Sequence, residues 1–127
     1  MASRERERRF GLPRRARIAR GGEFVRLKET GRRAPWGCMM ANWLPVAAGS
    51  PSRLGVIVSR RLGGAVVRNR ARRLLKECFR LHQHELAHPL DLVLVARNSI
   101  VGRALAGVER DFLAGLARNR LLKPSAA

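Results

Sequence analysis

The chain has 127 residues and carries 27 Lys plus Arg against 9 Asp plus Glu, a formal charge of +18. A chain of this size buries roughly two-thirds of its unfolded surface, enough for one domain with one modest core. Self-repulsion at such a charge calls for a polyanionic partner, with nucleic acid the first candidate and an anionic membrane surface the second, and two cysteines, Cys38 and Cys78, exclude a disulfide framework.

Arg greatly outnumbers Lys, and its planar fork suits bidentate phosphate contact and stacking on bases. The bland alternative for part of the excess is a high-GC genome, which favours Arg codons. No apolar stretch approaches the ~20 residues needed to cross a bilayer. The charged N-terminus leads into no apolar region, so it does not read as a secretory signal. A cytoplasmic location follows by default.

In chain order, residues 1–17 are rich in Arg and Glu with Gly11 and Pro13 as breakers, and read as a basic arm. From Gly21 a short helix carries Phe24 and Leu27 on one side and stops at Gly31. Trp36 to Leu44 reads as one strand, Pro45 to Ser52 as a loop, and Leu54 to Val58 as a β-branched strand. After Gly63-Gly64 a helix is expected from about Ala65 to about Leu86. At ~100° per residue, Val67, Ala71, Leu74, Leu75, Cys78 and Leu81 share one face. Arg68, Asn69, Arg72, Arg73, Lys76 and Arg80 share the other, with Arg70 at the boundary. Cys78 on the apolar stripe reads as a buried free thiol. Asp91 to Ala96 is a buried strand without alternation. A last helix spans about Arg103 to Ala117, with Leu105, Val108, Phe112 and Leu116 on its apolar face. The order predicts an α+β fold, an α/β sandwich with a small mixed sheet and helices packed on one face. The strand-helix-strand unit from Leu54 to Ala96 is read as parallel. Residues 18–123 form the single domain and 124–127 a tail.

The run Arg60 to Arg80 holds eight Arg or Lys and one acid, Glu77, yet it also carries an apolar stripe. A charge run that packs is a platform, not merely a solvated face. A turn feeding a helix presents free N–H groups at its positive end. Arg60, Arg61, Arg68 and Arg70 surround that end, and Arg72, Arg73, Lys76 and Arg80 extend it along the helix. Asn69 both donates and accepts, so it suits a base edge or a 2′-hydroxyl. His84-Glu85-Leu86-Ala87-His88 fits the pattern of zinc proteases, but Pro89 follows at once and pushes His88 out of helical geometry. No nucleophile triad or carboxylate pair is evident. No catalytic residue and no metal site is therefore expected in the protein.

The run Arg60 to Leu74, with Arg68-Asn69-Arg70 at its centre, closely resembles the signature of the bacterial ribonuclease P protein subunit. Leu12-Pro13-Arg14-Arg15-Ala16-Arg17-Ile18, Glu23-Phe24, Arg53 to Ser59 and Asp91 to Arg97 extend the resemblance over about residues 12–122. It implies a small basic protein that partners a large catalytic RNA and with it removes the 5′ leader of precursor tRNA, an endoribonuclease acting as a holoenzyme. The chemistry would fall to the RNA with Mg²⁺, bound mainly by the RNA. The implied fold is that of a ribosomal protein S5 domain 2-like sandwich, with a left-handed crossover where the general rule is right-handed. The resemblance places Arg60, Arg61, Arg68, Asn69, Arg70, Arg72, Arg73 and Lys76 on the RNA subunit. It places Phe24, Arg17, Lys28, Trp36 and Trp43 on the single-stranded leader. The implied partners are the catalytic RNA and precursor tRNA, with no membrane and no protein partner required. The chain departs from the family in having Gly64 where Asn is common and Lys28 where a second aromatic is common. The alternatives are a non-enzymatic RNA-binding protein of ribosomal or chaperone type, and a helix-turn-helix DNA binder using the helix from Ala65.

Overall fold

A computed structural model describes residue 27 and residues 29–124. Four strands, β1 (Arg32–Trp36), β2 (Met39–Pro45), β3 (Arg53–Ile57) and β4 (Leu90–Ala96), form one sheet in the order β1-β2-β4-β3. β1 and β2 pair antiparallel, β2 and β4 antiparallel, and β3 and β4 parallel. Helix α1 (Ala65–His82) makes the crossover from β3 to β4, and α2 (Leu105–Arg118) follows the sheet. This is the mixed α+β architecture expected from the order of elements. Most boundaries agree within two residues, the usual uncertainty of helix and strand ends.

Two expectations need correction. Trp36 to Leu44 is not one strand but the tip of a hairpin. Trp36 pairs with Met39, so Gly37 and Cys38 form a two-residue turn. Gly37 has φ 62°, and a Cβ there would lie 2.3 Å from the Asp111 carboxylate. A Gly with positive φ at the first central position fits the twist that a tight hairpin requires. The turn is held from below, because Asp111 Oδ2 on α2 accepts from Cys38 N at 2.9 Å. The second correction is the end of α1, which stops at His82 and tightens into a 3₁₀ turn over Gln83–Glu85. The backbone beyond is claimed by the chain's later segment: Ala87 N donates to Leu121 O, Lys123 N to Glu85 O, and Leu86 bridges Leu122.

The core fills the space between one sheet face and the two helices. Trp36, Met39, Ala41 and Trp43 meet Leu54, Leu92 and Leu94 from the sheet, Leu75, Cys78 and Phe79 from α1, and Val108, Phe112 and Leu116 from α2. The rings of Trp36 and Trp43 lie 5.3 Å apart, and Phe112 meets Trp36 edge-on at 6.1 Å. Trp36 also packs flat against Gly115, where a Cβ would fall 2.2 Å from the indole. Complete burial of such a large side chain contributes roughly 1.5–3 kcal/mol or more. Side chains alternate along a strand, so Met40, Asn42, Leu44, Asp91, Val93 and Val95 point to the opposite face. There Leu27 is buried against Val93, with Leu44 and Val95 beside it. Residues 27, 29 and 30 are helical, and Gly31 N closes the turn on Leu27 O at 2.9 Å. The expected stop at Gly31 is thus in place, while the helix's beginning and the arm over residues 1–17 lie outside the described residues. Among the described residues no helix is long and apolar enough to cross a membrane.

Candidate nucleic-acid interface

α1 is amphipathic in the way its sequence predicts, and that fixes where its cations go. Ala71, Leu75, Cys78 and Phe79 are buried, which turns Asn69, Arg73 and Lys76 to solvent. Val67, Leu74 and Leu81 flank the buried stripe as half-buried residues. Phe79, one turn after Leu75, widens the buried stripe and joins the core. A 3₁₀ turn over Arg60–Leu62 leads in, with Ser59 Oγ accepting from Arg61 N at 3.1 Å. Gly64 caps α1 without a side-chain acceptor, so the first-turn N–H groups have no capping side chain and add positive potential to the cations around them.

Arg60, Arg61, Arg68, Arg70, Arg72, Arg73 and Lys76 form a continuous run. None of them is ion-paired with a carboxylate among the described residues. From Arg68 to Lys76 the run covers roughly 12 Å of helix. Arg72 Nη1 donates to Asn69 Oδ1 at 2.9 Å, so Asn69 and Arg72 act as one unit with the Asn69 amide N–H groups left over. Arg70 Nη2 donates to Arg103 O at 3.0 Å, which fixes a guanidinium at the edge of the face. The Arg68 Nε is shielded from solvent without a partner, an arrangement that a phosphate oxygen would relieve. Arg80, by contrast, leaves the run. It forks onto Glu77, its Nε donating to Glu77 Oε2 at 3.0 Å. This bond is the main reason that the Glu77 carboxyl lies below its ordinary range. The positive face thus ends at Lys76.

The two tryptophans do not belong to an RNA surface. Trp36 and Trp43 are 0% and 3% exposed, on the sheet face that α1 and α2 cover, so neither ring offers a face for stacking. Arg17, Phe24 and Lys28 lie outside the described residues. The sheet's other face offers what the tryptophans do not. Register aligns Pro35 with Met40, Met40 with Val95, and Val95 with Ile57. Cross-strand partners share a face, so these four make an apolar row across all four strands. Met40 and Val95 are half-buried and Ile57 is 42% exposed. At one side of the row lies Leu27. At the far end of the sheet Arg53 grips Asp91 through two bonds, Nε to Oδ1 at 2.9 Å and Nη2 to Oδ2 at 2.7 Å. The alternation of Met39, Ala41 and Trp43 with Met40, Asn42 and Leu44 carries this signal in the sequence. Reading the segment for its aromatic content instead of its period passes over it.

The remaining titratable groups are structural. His82 hydrogen-bonds Glu85 through Nδ1 and Glu109 through Nε2, tying the end of α1 to α2. His84 sits in the 3₁₀ turn and His88 beyond the Leu86 bridge, so they are not two turns of one helix face, as a zinc-protease motif requires. No group of three metal-ligating side chains comes together among the described residues. Cys38 and Cys78 are free and buried. Burial first, then neighbouring carboxylates, push their thiols up to about 11 and about 12, so both are unreactive near neutral pH. A helix-turn-helix reading finds no support: the 3₁₀ turn before α1 is three residues long, not a helix that could cross a DNA backbone.

Comparison with known proteins agrees with this geometry. The profile of the family described as Ribonuclease P matches residues 12–120. A ribonuclease P protein component from Desulfovibrio desulfuricans is 47% identical over 91 residues, 71% of this chain and 70% of the relative. One from Desulfatibacillum aliphaticivorans is 38% identical over 90 residues, 71% of this chain and 75% of that protein. The RNase P protein of Staphylococcus aureus superposes with a TM-score of 0.74 at 22% identity, covering 85% of this chain and 98% of that one. That of Thermotoga maritima gives 0.70 at 23% identity, covering 80% and 96%. The shared fold, the family match and the intact Arg68-Asn69-Arg70 face converge, and this chain belongs to the ribonuclease P protein family.

Proposed function

We propose that this chain serves tRNA 5′ maturation as the protein subunit of a ribonucleoprotein endoribonuclease, with α1 seated on the catalytic RNA and the second sheet face on the leader of precursor tRNA. The observation that carries this reading is the unbroken set of seven cations from Arg60 to Lys76, none paired with a carboxylate among the described residues, on and before a helix whose other flank is core. Phosphates neutralised by Arg and Lys release counterions, so such a face binds a polyanion with strong salt dependence.

The leader site in this reading is revised to Pro35, Met40, Val95 and Ile57, with Leu27 at its side; Trp36 and Trp43 leave it. Apolar contact with base faces is tolerant of sequence, as a site that meets many leaders needs. Arg17, Phe24 and Lys28 stay in the set on family resemblance.

The protein's own donors do not suit Mg²⁺. Five of the six described carboxylates already accept from protein donors: Glu77, Glu85, Asp91, Glu109 and Asp111, leaving Glu29. Mg²⁺ is assigned to the RNA subunit, where metal-assisted displacement at phosphorus would take place. The protein's share is positioning and charge neutralisation, exerted in the cytoplasm where precursor tRNA is made.

The test is reconstitution of the chain with its catalytic RNA and precursor tRNA at low Mg²⁺. Faster cleavage than with RNA alone is expected, and no gain would reject the reading. Met40→Asp should weaken binding of precursor tRNA and leave mature tRNA unchanged; equal weakening for both would remove the second sheet face from the leader site.

A further inference from the structure

An apolar groove of about 180 Å³ opens beside the arginine run, between α1 and the turn after β4. Val66, Val67 and Leu74 form one wall, Ile100 and Val101 the other, and Arg70 the rim. Among the described residues no acidic side chain lines it. Val66 is 82% and Val101 49% exposed, so the mouth of the groove is apolar on both sides. Val66, Arg70 and Arg73 stand at i, i+4 and i+7, so the groove and two cations without a carboxylate partner among the described residues share a single stripe of α1. The Arg70 guanidinium is already oriented, because its Nη2 is tied to Arg103 O at 3.0 Å across the groove's end.

We propose that this groove seats one unpaired nucleobase of the RNA whose phosphates lie on Arg70 and Arg73. The assignment rests on the reading of α1 as the RNA-binding face. Charge selects the occupant. An apolar side chain of a protein partner, or a second copy of this +18 chain, would have to enter past cations that it does not neutralise. An unpaired nucleotide brings a phosphate for the cations and an apolar ring face for the valines. Arg70, tied to Arg103 O beside the groove, offers a guanidinium plane on which that ring can stack.

The experiment compares two variants of the full chain binding to its catalytic RNA. Val66→Ser plus Val101→Ser removes apolar surface from two exposed positions, and a melting curve checks that folding is kept. Affinity should fall about tenfold, because the base would sit against hydroxyls instead of methyl groups, while the slope of log affinity against log salt stays at the wild-type value. Wild-type affinity in this variant would overturn the proposal. Arg70→Ala plus Arg73→Ala is the control. If it reduces neither affinity nor slope, the basic-face reading itself has failed; if it reduces both while the serine pair binds normally, only the base seat has failed. Location is tested with Val101→Cys, which presents a single reactive thiol because Cys38 and Cys78 are buried. A photo-crosslinker attached there should mark one unpaired nucleotide. Crosslinks spread along base-paired RNA, or weaker anionic-vesicle binding in the serine pair with RNA binding intact, would overturn the proposal.

Discussion

Arg68, Arg70, Arg72, Arg73 and Lys76 have no carboxylate partner among the described residues, whereas Arg53, Arg80 and Arg103 each hold one and His82 holds two. The two sets use the same chemistry, and two members, Lys76 and Arg80, stand one helical turn apart. What separates them is where the acids fall. Beyond Glu29, the described carboxylates stand at positions 77, 85, 91, 109 and 111, and none of them pairs with a cation of the first three turns of α1. Acid placement sorts the cations into those held within the fold, across elements or, for Arg80, within α1, and those that face a ligand. A mostly cationic chain needs this division: where an internal acid neutralises an arginine, that arginine no longer contributes counterion release on RNA binding.

The comparison breaks first at Asp91. It is 5% exposed and accepts two bonds from Arg53, so Asp91→Ala removes both of them from a partly buried guanidinium. Chemical denaturation should show a destabilisation of about 3 kcal/mol, and the salt slope of RNA binding should not change. Next comes the free set. Arg68→Ala with Arg70→Ala and Arg73→Ala should weaken RNA binding by about a hundredfold at moderate salt, yet move unfolding by no more than about 0.5 kcal/mol at the exposed Arg70 and Arg73 and by less than about 1 kcal/mol at the half-buried Arg68. Glu77→Gln sharpens the contrast further, because it converts a tied cation into a free one. Stability should change by less than about 1 kcal/mol, and the salt slope should steepen by roughly 0.7–0.9, one added phosphate contact.

The smallest effect is a pH dependence. At His82 burial opposes the charge, but the hydrogen bonds that its ring donates to Glu85 and Glu109 outweigh it and raise the pKa above the ordinary imidazole value. The folded state therefore favours the protonated ring. Its contribution is complete below the unfolded value of about 6.5 and fades as pH rises through the folded value. Melting temperature should decline modestly over that interval, and His82→Gln should flatten the decline. Identical profiles for the two proteins would show that His82 does not carry the decline.

Local rules carry much of this architecture. The 3.6-residue period from Val67 to Leu81 places the core stripe of α1 and therefore its cationic face, because one rule decides both. The parallel β3-α1-β4 unit follows from a long helical crossover. What escapes the sequence depends on contacts between distant positions. The hairpin at Gly37 is explained by Asp111, far along the chain on α2, and the early end of α1 by backbone pairing with Leu121 to Lys123. The fate of the tryptophans turns on which sheet face the helices cover, and strand alternation alone cannot say which face that is. Arg80 shares the helical face of the free cations, so the period groups it with them. Its i, i+3 spacing from Glu77 is the signal that makes it a partner instead.

The most direct measurement is the affinity of the catalytic RNA for wild-type protein and for the Arg68→Ala, Arg70→Ala, Arg73→Ala variant over a series of salt concentrations. A shallower line for the variant, by roughly two to three in slope, with superimposable melting curves, is the predicted result. Parallel lines of equal slope would contradict the account, since the free guanidiniums of α1 would then make no phosphate contacts.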